Sequence, residues 1–93
     1  MIYQWDSRKD AKNRRKHKLS LENGIPALKD PNAQSWMDPV EHGEFRLVTM
    51  GMAYPNLLIV VTAHPSEEVT RIISVRKAEL HEEERYLYGH TQL

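Results

Sequence analysis

The chain has 93 residues, of which 40% are apolar, 13 are acidic, 13 are basic and none is cysteine, so its formal net charge is zero. That length suits one small domain burying only about two-thirds of its unfolded surface, and the missing cysteines exclude disulfides, thiol nucleophiles and thiolate metal sites. The longest apolar run, LLIVVTA at 57–63, is too short to span a bilayer, and MIYQWDSRKD lacks the cationic start and apolar stretch of a signal peptide, so a cytoplasmic protein without a membrane role is expected.

In chain order, IYQW (2–5) alternates apolar and polar residues and reads as a short strand. Asp6 or Ser7 then caps a helix over SRKDAKNRRKH (7–17), whose only apolar residue is Ala11. Asp10 and Arg14 have the i, i+4 spacing of a helical ion pair. With almost no apolar stripe, this helix must be held by its neighbours Trp5 and Leu19. Between Arg8 and Lys18 lie seven cations and the single acid Asp10, which leaves the rest of the chain acid-rich. Such asymmetry points to a polyanion or an acidic partner, although a solvated helix face has the same composition. A second helix is expected from Ser20, with Leu21, Ile25 and Leu28 on one face, kinked or interrupted by Gly24 and Pro26 and ending before Asp30-Pro31.

Residues 30–43 read as irregular apart from a short strand near Trp36. Three strands follow at FRLVTM (45–50), LLIVVTA (57–63) and RIISVR (71–76), joined by turn-like GMAYPN and HPSEEV. An antiparallel meander is the simplest arrangement, with the middle run covered on both faces. The chain closes with a helix over KAELHEEERYLYGH, ending before or at Gly89. The fold class is therefore α+β: two helices, a small antiparallel sheet, then a last helix. Arg76 and Lys77 fall at the expected start of that helix, where cations oppose its dipole by roughly 0.3–1 kcal/mol each. Pairing with Glu79 or Glu82 would offset this, as would a bound anion.

No Gly-rich phosphate loop, His-Glu-x-x-His helix or nucleophile elbow occurs, and histidines 17, 42, 64, 81 and 90 lack metal-ligand spacing. No metal or cofactor is expected. RNA can be cut without a metal when its 2′-hydroxyl is the nucleophile. That reaction needs a base, an acid for the leaving 5′-oxygen, and cations for charge growing on the phosphoryl oxygens. Arg46, Arg71, Arg76 and Lys77, with His17 and His64, have the right chemistry. Trp5, Trp36 or Tyr54 would stack a base.

Several segments, in this order, resemble the BrnT family of bacterial type II toxin–antitoxin toxins, which is related in fold to the RelE group of ribonucleases. They are WD at 5–6, KNRRKH at 12–17, LSLE at 19–22, DP at 30–31, GEFRLVTMG at 43–51 and RIISVRKA at 71–78. Departures from the family pattern are Lys18 where glycine is usual, Leu28-Lys29 for Val-Phe, His64 where a Thr-x-Arg is common, and Glu83 for an arginine in the last helix.

The resemblance implies a metal-independent endoribonuclease, with Lys16 joining His17, Arg46, His64, Arg71, Arg76 and Lys77 as site candidates. It also implies a BrnA-like antitoxin with a ribbon-helix-helix part, through which alone the toxin would reach operator DNA. The alternative is a non-catalytic module whose basic helix grips an acidic antitoxin or nucleic acid.

Overall fold

The structure is a computed structural model that describes residues 1–89, so His90 lies outside the described residues. In chain order the elements are β1 (Ile2–Gln4), α1 (Ser7–His17), a 3-10 turn (Leu21–Asn23), α2 (Gly24–Leu28), β2 (Gln34–Met37), β3 (Arg46–Ala53), β4 (Asn56–Ser66), β5 (Val69–Lys77) and α3 (Leu80–Gly89). One five-stranded sheet has the order β1-β5-β4-β3-β2. The meander β3–β4–β5 is antiparallel, as the alternation predicts, and β2 extends it antiparallel at one edge. The purely antiparallel sheet is corrected at the other edge, where β1 runs parallel to β5. Three residues carry too little pattern to name their partner. The chain enters α1 directly from β1, and α1 packs along β5, so β1 is delivered to that side.

The strands also outrun their expected ends. Gly51 to Ala53 belong to β3, which turns back tightly through Tyr54-Pro55, since Ala53 faces Asn56. β4 continues to Ser66 through two register slips, between Val61 and Thr62 and between Ala63 and Ser66. Pro65 sits in the second slip, an irregular stretch where a missing ladder donor is tolerated.

β4 is central and covered on both faces. Leu58 and Val60 join Ile72, Val75, Leu21 and Ala27 under α1 and α2. Leu57 and Ile59 join Met50 and Tyr86 under α3. The second helix is interrupted as expected. Pro26 falls in the first turn of α2, where its missing N–H would have had no intrahelical acceptor. Asp30 ties the two layers together: its Oδ2 accepts from the Met52 amide (2.7 Å) and from the Tyr86 hydroxyl (2.6 Å). Burial first, then this carboxylate, push the Tyr86 hydroxyl up to about 12.

α2 lies directly on β3 because Gly51 has no side chain. An added Cβ would meet the Ala27 carbonyl oxygen closer than real Cβ atoms come. Gly51→Ala is therefore expected to lower stability by about 1–3 kcal/mol, read as a lower urea midpoint. An unchanged midpoint would show that α2 lifts off β3 freely.

Candidate active site

Asp6, rather than Ser7, caps α1, its Oδ1 accepting from the Arg8 and Lys9 amides at 2.8 and 3.1 Å. The expected Asp10–Arg14 pair forms at 3.4 Å, and Asp10 also accepts from the Leu21 amide at 2.7 Å, fastening α1 to the segment after it. α1 ends at Lys18 in the left-handed region (φ 61°), its amide returning to the Arg14 carbonyl. A non-glycine residue there costs about 1–2 kcal/mol, which accounts physically for the glycine usual at that point.

Beyond Arg71 the outer edge of β5 has no strand partner, because β1 pairs only with Val69–Arg71. Asn13 fills the gap. Its buried amide donates to the carbonyls of Val75 (2.8 Å) and Leu19 (2.9 Å), and its oxygen accepts from the Val75 amide (3.1 Å). A side chain in α1 thus completes the ladder at Val75 and helps hold to the sheet a basic helix whose only apolar residue is Ala11. Between α1 and β5 lies a cleft of about 230 Å³ lined by Lys9, Lys12, Asn13, Lys16, His17, Ile73 and Ser74.

His17 is half-buried at the end of this cleft. Its pKa is held below the usual 6.5 by burial first, then by Lys16 and Arg76. Lys16 and His17 share this cleft, and Arg76, which does not line it, lies close enough for its charge to act on the imidazole. Arg76 Nη1 and Nη2 donate to the two Glu82 carboxylate oxygens at 2.8 and 2.9 Å, and Nη1 also reaches the Lys77 carbonyl. The Glu82 hydrogen bond comes first among the causes that raise the arginine, and the arginine comes first among those that lower the glutamate.

The expected strand–helix boundary is corrected here. β5 runs through Lys77 and α3 starts at Leu80, so neither cation sits on the helix. The Glu79 amide at that end is taken by Glu82 Oε1 at 2.8 Å. Lys77 is exposed and shares the rung of Leu58, on the sheet face opposite that of Arg76, which shares the rung of Ile59.

Arg46 and Arg71 form a separate group, both opposite Ala63 on β4. That is four residues, roughly 13 Å, along the strand from the rung of Arg76. They share Glu44, with Arg71 Nη2 2.7 Å and Arg46 Nη2 3.4 Å from its carboxylate. The Arg46 Nε–H is buried without an acceptor among the described residues. His64 is not brought to either group. It hydrogen-bonds Thr62 Oγ1 at 3.0 Å and lines a pocket with Tyr3 and Leu28 on the α2 side of the sheet.

The aromatic expectations are largely redirected. Trp5 packs on the α1/α2 core and Trp36 on the other core, where Arg85 stacks 4.5 Å over the Trp36 ring. Tyr54, 91% exposed, is free to stack. Glu79, His81 and Glu82 place one donor atom each within 4.8 Å of one another, a grouping that histidine spacing alone does not reveal. Glu82 is already committed there to Arg76 and the Glu79 amide. The sequence places Lys9 and Lys12 in the basic run that points to a polyanion or an acidic partner, but gives no role to Asn13 or Ser74. The signal available for Asn13 was a helix with one apolar residue, which needs polar anchors.

The fold is similar to that of the Brucella abortus ribonuclease toxin BrnT, whose crystal structure aligns with a TM-score of 0.63 and 22% identity, covering 85% of this chain and 99% of that one. No curated protein sequence matches the chain. The family model described as "Ribonuclease toxin, BrnT, of type II toxin-antitoxin system" matches residues 5–82, and over that span this chain belongs to the BrnT family of ribonuclease toxins.

Proposed function

We propose that the protein is a metal-independent endoribonuclease that cuts RNA by attack of a 2′-hydroxyl on the adjacent phosphate, in the cleft between α1 and β5. The observation that carries this reading is that Lys16 and His17 line one cleft, with His17 biased toward its neutral form by burial and by the charges of Lys16 and Arg76. Neutral imidazole accepts the 2′-hydroxyl proton as the 2′-oxygen–phosphorus bond forms. The bond to the 5′-oxygen breaks, and the Lys16 ammonium protonates that leaving oxygen. A 2′,3′-cyclic phosphate and a 5′-hydroxyl result. Arg76 has three of its five N–H groups engaged in the contacts described, and the remaining two are available to the charged phosphate. Arg46 and Arg71, two guanidiniums on one carboxylate, suit a flanking phosphate.

The partner that fits a type II toxin of this family is a BrnA-like ribbon-helix-helix antitoxin, covering the cationic cleft and carrying the toxin to operator DNA. A RelE-type ancestry and a cytoplasmic setting complete the proposal. No helix among the described residues is long and apolar enough to cross a membrane.

Purified protein incubated with single-stranded RNA in excess chelator is expected to cut it, leaving cyclic phosphate ends detectable by mass spectrometry. Cleavage abolished by chelator and restored by a divalent ion would overturn the metal-independent mechanism. Binding without any cleavage would replace it with the non-catalytic module.

A further inference from the structure

Lys9, Lys12 and Lys16 stand at i, i+3 and i+7 on α1, interleaved with Asn13 and His17 at i+4 and i+8, so one stripe of the helix faces β5. Arg14, Arg46, Arg71 and Arg76 all have acidic partners. Among the described residues Lys9, Lys12 and Lys16 form no ion pair, and no carboxylate lines their cleft. Like charges at i, i+3 and i, i+4 weaken a helix by about 0.2–0.5 kcal/mol per pair, and Lys9 in the first turn also opposes the dipole. The Asp6 cap attracts Lys9, and the dipole favours Lys16 in the last turn, but no carboxylate faces the three lysines across the cleft.

We infer that Lys9 and Lys12 form a track for the phosphates of a single RNA strand leading along α1 to His17, a binding role that rests on the cleavage reading. Seven residues of helix place Lys9 roughly 10 Å from Lys16, room for successive phosphates of one extended strand. The cleft is walled by α1 on one side and by Ile73 and Ser74 of β5 on the other. At about 230 Å³ it takes part of one strand at most and is too small for a duplex. Ile73 offers an apolar surface to a ribose or base, and Ser74 a hydroxyl. The lysines act on phosphates beside the scissile one, so their contribution falls on binding and on its salt dependence.

The test compares wild type, Lys9→Gln/Lys12→Gln and Arg8→Gln/Arg15→Gln, the last removing the same charge outside the cleft. Binding of a non-cleavable 2′-O-methyl single strand is followed by fluorescence anisotropy over a range of NaCl concentrations. Each lost single-strand phosphate contact lowers the slope of log K against log salt by about 0.7, so the lysine pair should lower it by about 1.4. Affinity at low salt should fall about tenfold or more, and with cleavable RNA the loss should appear in KM. The Arg8/Arg15 variant should move the slope much less, and Lys9→Arg/Lys12→Arg should restore it. Equal slopes for the two Gln variants would reduce the track to bulk charge and overturn it. If wild type binds by this track yet cuts nothing, the cleavage reading fails while the track stands.

Discussion

Replacing His17 with alanine is expected to lower the cleavage rate by about 10²–10⁴-fold, the span of a lost general base. Of the two histidines with suitable chemistry, His17 alone lines the cleft with Lys16 and feels the charge of Arg76. Its environment also dictates a pH profile. Burial, Lys16 and Arg76 all disfavour the imidazolium, so the proton-accepting form is the larger fraction at pH 6.5. The acid limb of the rate profile should therefore be centred below pH 6.5, whereas an unperturbed histidine would be half protonated at that pH. Single-turnover rates on one RNA, with His17→Gln as a second variant, check both statements. Rates within threefold of wild type, or a profile that His17→Gln leaves intact, would falsify the assignment of His17 as base.

The second large effect concerns stability. Asn13→Ala removes three hydrogen bonds and strands the amide and carbonyl of buried Val75 together with the Leu19 carbonyl. Buried polar groups left without partners cost about 1–3 kcal/mol each, and water entering the cleft will satisfy some of them. A loss of about 2–4 kcal/mol is expected, a large part of the about 5–15 kcal/mol available to a small domain. Asn13→Asp should be no milder at neutral pH, because it removes the donor and turns a carboxylate toward two carbonyls. Urea unfolding followed by circular dichroism reads both variants. A midpoint for Asn13→Ala equal to wild type would mean that α1 is held elsewhere.

The β-branched runs reported the meander correctly because a strand buried on both faces needs apolar residues throughout. The polar first helix was equally plain from Asp6 and the Asp10–Arg14 spacing. What the linear pattern withheld were the contacts joining residues distant in the chain. Arg76 read as a cation at a helix start because Lys77-Ala78-Glu79 has helical composition, yet the strand continues through it; its pairing with Glu82, one of the two partners the sequence offered, does form. His64 and Arg76 both looked like site residues, and only register and face separate them. Trp5 and Trp36 looked available for stacking, but a thin core uses its large aromatics to cover its edges.

The half-open outer edge of β5 has one more consequence. An uncovered strand edge is a template on which another chain can add a strand, and natural proteins blunt such edges with lysine and with bulges. Here the edge is bridged at Val75 by Asn13, bordered by the lysines of α1 and disturbed by the register slip between Val61 and Thr62. The cations assigned to RNA therefore also guard against edge-to-edge aggregation. Selection that weakened toxicity by removing them would yield a less soluble protein, so solubility itself constrains how far this cleft can lose its charge.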